Sequence, residues 1–263
     1  MKVTELIDIL NNWMPLELAE DFDNVGLIVG DHKSDISGIL VTLDTTEEVV
    51  QEAIDRNCNM IVSYHPIIFN NLKKITADSN YVQNSIIKAV KNNISIYAIH
   101  TSLDNHPQGI SYFLSKIIGL DNISSLISKP QKNNINSGMG SLGQLKKPMN
   151  EDVFLDYIKD KLNLKVIRYS KKLNKKISTI SILVGSGSFA IKDSIEKKSD
   201  VFITSDLKYH NFFEGNNELL LVDIGHYESE NHIKTIIKEF LIEKLPNFTV
   251  LLSEQNINPV NYK

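Results

Sequence analysis

Residues 39–66 read ILVTLDTTEEVVQEAIDRNCNMIVSYHP, and this stretch decides the fold. Ile39-Leu40-Val41-Thr42-Leu43 is a short continuous apolar run, the pattern of a strand buried on both faces, and it ends at Asp44. Thr46 is placed to cap a helix, because its hydroxyl can accept an N–H that the first turn leaves unpaired; that helix runs to about Arg56. Met60-Ile61-Val62-Ser63-Tyr64 is a second buried strand, and Pro66 turns the chain away just after His65. Strand, helix and strand in succession form a βαβ unit with its two strands parallel.

The same alternation continues on both sides. Helices are expected over 3–13, 78–92, 108–118, 151–162, 189–197 and 228–244, the third stopping at Gly119. Further strands are expected over 25–29, 95–99, 166–169, 177–184, 201–204, 219–223 and 248–252. Between 122 and 150 Ser, Asn, Lys and Gly dominate, with Gly138, Gly140 and Gly143 punctuating a β-like stretch; this reads as a passage between two lobes. The expected fold class is α/β: two α/β lobes with mixed, largely parallel sheets and a metal site at the lobe interface. The first lobe takes residues 1–124 and 225–263, and the second takes 125–224.

Composition excludes several classes. At 263 residues with 42% hydrophobic content, the chain is long enough for one large core or two modest ones. A net charge of −4 argues against a non-specific nucleic-acid binder, and the cluster Lys171, Lys172, Lys175, Lys176 reads as a solvated loop. Cys58 is the single cysteine, so neither an intrachain disulfide nor a cysteine-rich zinc site can form. The first residues carry no secretory pattern and no apolar run reaches membrane-spanning length, so the expected location is the cytoplasm.

Candidate chemistry gathers where strands end, the edge at which open α/β sheets hold ligands. His65 follows the strand at 60–64, His100 follows the strand at 95–99 with Asp104 in the same loop, and His226 and Glu230 follow Leu220-Leu221-Val222-Asp223. His226 and Glu230 are four apart where a helix should begin, which puts both on one face. Imidazole nitrogen with carboxylate oxygen suits Zn, Mn, Fe or Co better than Ca or Mg. Taken singly, each of these residues also has a plain structural reading as a hydrogen-bonded histidine or a surface pair.

Six ordered blocks carry a resemblance that spans nearly the whole chain. They are Asp23-Asn24-Val25-Gly26-Leu27 with Val29-Gly30, Tyr64-His65-Pro66-Ile67-Ile68-Phe69, His100-Thr101-Ser102-Leu103-Asp104, Gly185-Ser186-Gly187-Ser188, Thr204-Ser205-Asp206-Leu207-Lys208-Tyr209-His210, and Asp223-Ile224-Gly225-His226-Tyr227-Glu228-Ser229-Glu230. In these blocks the sequence resembles the Nif-three-like family (NGG-interacting-factor-three-like), whose members are labelled GTP cyclohydrolase 1 type 2 homologues. The resemblance implies a two-lobe fold, a ring-like homohexamer and a dinuclear metal centre. His65, Asp104 and Glu230 would hold one ion, and His226 and Glu230 the other, together with the first of two consecutive histidines. That first histidine is Tyr64 here. A phenol must lose a proton of reference pKa about 10 to ligate, so Tyr64 either ligates as a phenolate or leaves a second site that is weakened, empty or completed by water. Ser205 also replaces the family's usual glycine, and the glycine turn is one Gly shorter.

These readings imply one or two divalent metal ions (Zn, Mn or Fe) on His65, Asp104, His226, Glu230 and Tyr64, with His100 as the catalytic proton carrier. The implied function is a metal-dependent hydrolase of GTP cyclohydrolase 1 type 2-like kind acting on a small anionic or nucleotide substrate; the alternative is a non-catalytic metal carrier or regulatory scaffold. Asp23 and Asn24 read as a turn or as site lining, and Asp206, Lys208 and His210 as contacts to an anionic substrate or as a helix N-terminus. Gly185 to Ser188, ahead of a helix, is a candidate phosphate cradle.

Overall fold

Val3, Leu6 and Leu10 recur at helical spacing, and in the computed structural model they bury one face of α1 (Val3–Trp13). The structure describes residues 1–130, 135–255 and 257–263. After α1 come β1 (Gly26–Val29), β2 (Ile39–Thr42), α2 (Glu47–Asp55), β3 (Met60–Ser63), α3 (Tyr81–Lys91), β4 (Ser95–Ala98) and the single turn α4 (Thr101–Asp104). The caps do what side-chain chemistry dictates: the Thr46 hydroxyl accepts from Val49 N at 3.4 Å and the Asn80 amide oxygen from Gln83 N at 3.0 Å. The chain continues through α5 (Ile110–Ile118), β5 (Asp121–Ser124), β6 (Ile127–Ser128), β7 (Gly138–Met139), β8 (Ser141–Asn150), α6 (Glu151–Lys161), β9 (Arg168–Tyr169) and β10 (Lys176–Ser186). It closes with α7 (Ile191–Glu196), β11 (Val201–Ser205), β12 (Leu220–Asp223), α8 (His226–Glu230), α9 (Ile233–Lys244) and β13 (Val250–Leu252).

These elements form two units, Met1–Leu103 with His232–Pro259, and Asp104–Asn231 with Val260–Lys263. The first holds a five-stranded sheet in the order β1-β4-β3-β2-β13, parallel throughout except for β1 on β4. Leu40, Val49, Ile61, Ile86 and Ile96 build its core between sheet and helices; each such buried side chain contributes roughly 1.5–3 kcal/mol of burial. Trp13 of α1 stacks on Phe240 of α9 with centroids 4.0 Å apart, which fixes the returning helix within this unit.

The second unit holds a six-stranded sheet in the order β5-β8-β10-β11-β12-β9, parallel only in its centre, β10-β11-β12. The stretch expected as an inter-lobe passage is instead part of this sheet: β8 pairs antiparallel with β10, Gly143 opposite Ile180, and β5 pairs with β8. Its small residues signal close approach to neighbours, since a Cβ on Gly143 would stand 3.0 Å from the Leu120 Cβ. Residues 131–134 of that stretch lie outside the described residues. The single helix expected over 228–244 is two helices, α8 and α9, and the break at 231/232 is where the chain leaves one unit for the other. No helix among the described residues is long and apolar enough to cross a membrane.

Candidate metal centre

Parallel register sets the first unit's contribution. Thr42 lies opposite Ser63, and Ser63 opposite Ala98, so β2, β3 and β4 end level and Asp44, His65 and His100 leave the sheet along one edge. Backbone bonds hold them there: His65 N donates to Leu43 O at 2.9 Å and His100 N to Tyr64 O at 2.9 Å. His65 Nδ1 donates to Asp44 Oδ1 at 2.9 Å, which turns Nε2 away from that carboxylate. His100 Nδ1 meets both oxygens of Asp23, at 2.8 and 2.9 Å, and its φ of +34° bends the backbone into that pose. Asp23 also accepts from Thr101 N at 3.1 Å and from the Thr101 hydroxyl. Burial alone would raise the Asp23 carboxyl; the bonds from His100 and Thr101 outweigh it and hold the group below the usual carboxylate range.

Tyr64 is 1% exposed, its ring 4.9 Å from His65 and 5.5 Å from His100. Asp104 ends the turn α4 and is half-buried.

The second unit repeats the device. Ser186 pairs with Ser205 and Thr204 with Asp223, so β10, β11 and β12 also end level. His226 opens α8 after Gly225, whose φ of +89° makes the turn. His226 Nδ1 donates to Asp206 Oδ2 at 2.7 Å, and Nε2 lies 3.1 Å from Glu230 Oε2 one turn along the helix. Glu230's hydrogen bond and charge, opposed by burial and reinforced by Asp206, push the His226 imidazole up to about 9. Nε2 and the Glu230 carboxylate therefore face each other as an ion pair. Gly185 makes room for that carboxylate, because a Cβ there would stand 2.7 Å from Glu230 Oε1. Behind the pair, buried Asp223 accepts from Leu207 N at 2.9 Å, Gly225 N at 3.0 Å and Arg168, tying down the two loops that carry Asp206 and His226.

Among the described residues, the first unit thus offers His65 as a donor of metal-ligand type, and the second unit offers His226 and Glu230. Each imidazole is fastened through Nδ1 to a carboxylate, the support that metal-ligating histidines have. This donor chemistry fits a borderline divalent cation.

The sequence model of Duf34/NIF3 (NGG1p interacting factor 3) matches residues 1–259. The chain belongs to the DUF34/NIF3 family. A Clostridium acetobutylicum protein named GTP cyclohydrolase 1 type 2 homolog is 34% identical over 268 residues, covering 100% of this chain and 99% of its own. A Clostridium perfringens protein of the same name is 35% identical over 247 residues, 93% of each chain. Among solved structures, a Bacillus cereus protein related to NIF3 superposes with TM-score 0.92 at 24% identity, and a Staphylococcus aureus protein with TM-score 0.90 at 29%, each over 100% of this chain and 99% of the other.

Against that DUF34/NIF3 background, two sequence readings change. Asp206 does not sit in the first turn of a helix: its φ is +58°, a short turn begins only at Tyr209, and its carboxylate goes to His226. The Gly185–Ser188 segment leads into a helix as expected, since β10 runs to Ser186, a 3-10 turn spans Ser188–Ala190 and α7 follows at Ile191; Gly185 itself makes room for the Glu230 carboxylate. Asp23 does more than turn the chain, because it anchors His100, while Asn24 Nδ2 donates to Ile68 O at 2.6 Å. Asp44 and the Arg168–Asp223 pair carried no role in the sequence reading, although Asp44 has the signal that flagged His65: a polar residue just past a buried strand.

Proposed function

We propose that this DUF34/NIF3 protein is a divalent-metal-dependent hydrolase in which His65, Asp104, His226 and Glu230 hold the metal and His100 carries the proton. The observation behind it is the repeated carboxylate–imidazole pair, Asp44–His65 and Asp206–His226, in which each ring is held through Nδ1. When bound, a divalent ion at such donors supplies Lewis acidity and lets water act as a nucleophile near neutral pH. The chain's own residues do the rest. Asp44 and Asp206 fix the ring tautomers, and Glu230 supplies the anionic donor that balances charge. Asp23 keeps the proton on His100 Nδ1, so Nε2 is the nitrogen that takes up and returns a proton during hydrolysis. The relatives' shared name makes GTP, with formate release as the readout, the first substrate to assay, followed by phosphate esters. A homohexamer is the proposed assembly and is read by light scattering.

The test is elemental analysis of dialysed protein with a hydrolysis screen on the same sample. Metal bound at one or two ions per chain and lost in His65→Ala and His226→Ala supports the reading; full metal content in both variants would sink it. A second reading, a non-catalytic metal carrier or scaffold, is favoured by Tyr64, a buried phenol where the family pattern has a ligand histidine. Tight metal binding with no turnover on any substrate of the screen would select it.

A further inference from the structure

Phe22 and Phe69 are 68% and 51% exposed, yet they are not stray surface rings. They come from two loops tied together by the Asn24 Nδ2 bond to Ile68 O at 2.6 Å, so the pair is held in place. Their centroids are 6.4 Å apart at 64°. Phe69 lies 6.1 Å from His100 at 79°, and His100 lies 5.2 Å from His65 at 71°. Four rings in sequence, two phenyl and two imidazole, thus line a corner in which neighbours stand at steep angles, the edge-to-face arrangement that aromatic quadrupoles favour.

We propose that Phe22 and Phe69 form the binding wall for a planar aromatic or heteroaromatic ring of the substrate, with an oxygen donor of that substrate directed toward His65 and His100. A flat guest stacked on one ring of such a corner meets the positive edges of the next, which an aliphatic chain cannot match. The change from phenyl to imidazole along the wall selects a ligand that is apolar on its face and polar at one edge. Both phenyl groups stand uncovered by the core in the ring series that runs through His100 to His65. This inference rests on the proposed metal centre.

The test uses two probes with the same metal-binding head, benzohydroxamate and acetohydroxamate, titrated into the zinc-loaded full chain by calorimetry. Benzohydroxamate is expected to bind at least about tenfold more tightly, the scale of one aromatic stacking contact. In the double variant Phe22→Leu/Phe69→Leu, which keeps apolar bulk and removes both rings, the preference is expected to fall to about threefold or less while acetohydroxamate affinity holds. Equal binding of the two probes by the wild type, or an unchanged preference in the double variant, overturns the wall and leaves the metal centre standing. Failure of both probes to bind, with zinc content insensitive to His65→Ala, overturns the metal centre and this inference with it. A fall in oligomer mass in the double variant also overturns it, because the rings would then be an interface between copies of the chain.

Discussion

Metal loading should be strongly pH-dependent through His226, and the size of the effect follows from its surroundings. Glu230 and Asp206 flank the ring and push its pKa up to about 9 in the metal-free chain. At pH 7 roughly 99% of such a group is imidazolium, so a cation taking Nε2 must displace close to one proton. Apparent affinity should therefore rise about tenfold from pH 7 to 8 and about fivefold more to pH 9, whereas an ordinary imidazole of reference pKa about 6.5 is already mostly neutral at pH 7. Asp206→Asn separates the causes. It removes one of the two carboxylates that favour the proton and also weakens the support of the ligand, an outer-shell loss of about 10–100-fold. At pH 7 easier proton release offsets part of that loss; near pH 9 nothing does, so the gap between variant and wild type widens with pH. The assay is zinc competition against a chromophoric chelator, with proton release from calorimetry in buffers of different ionisation enthalpy. Less than about 0.2 proton released at pH 7.5, or a gap that narrows with pH, would refute the reasoning. The sign for folding runs the other way. With the folded value above the unfolded one, His226 stabilises the metal-free chain fully below about 6.5, and that contribution is lost as pH rises through about 9.

Gly185→Ala drives a Cβ to 2.7 Å from Glu230 Oε1 at a φ of +72°, and should cost on the order of 1–3 kcal/mol in thermal or urea unfolding as well as metal affinity; an unchanged midpoint would mean the carboxylate has other room. Asp23→Asn leaves His100 and Thr101 without their buried anion and should destabilise by about 1–3 kcal/mol at pH 7. Because the folded Asp23 carboxyl lies below its unfolded value, the difference between wild type and variant should shrink as pH falls through the acid range, which acid-unfolding curves would show. Tyr64→His should raise metal content per chain if a second ion lacks only a ligand, and elemental analysis showing no gain would remove that explanation. Arg168→Met frees one side of Asp223 and should weaken zinc binding about tenfold, checked by the same zinc competition; an unchanged affinity would mean that the loops carrying Asp206 and His226 hold without it.

Most of the element positions were legible because their signals are local. Buried strands 39–43 and 60–64 announce themselves as apolar runs, Thr46 as a cap and Gly119 as a left-handed stop with φ +89°. The second sheet was harder, since β5 and β8 have one face in water, and their Ser, Lys and Gly content resembles a linker until the partner strand is known. The ligand-type histidines were visible as polar residues at strand ends. Their carboxylate partners were not, because Asp44 and His65, or Asp206 and His226, meet only through pairing between strands distant in sequence.

That pairing is also why the carboxylate–imidazole motif occurs twice. A parallel sheet ends its strands level, so a residue one to three positions beyond one strand lies beside its counterpart from the next. An aspartate after β2 meets a histidine after β3; an aspartate after β11 meets a histidine after β12. Each pair needs only its own unit's register, so each imidazole is oriented before any metal arrives. The two halves need not be alike in strength. His65 faces His100 and a phenol, while His226 faces a glutamate, so on the proposed reading His226 and Glu230 would supply charge compensation and His65 and His100 the proton traffic. A substitution in one half should therefore change how tightly metal is held, and one in the other how a proton leaves, and measuring affinity and pH profile on the same variants distinguishes the two.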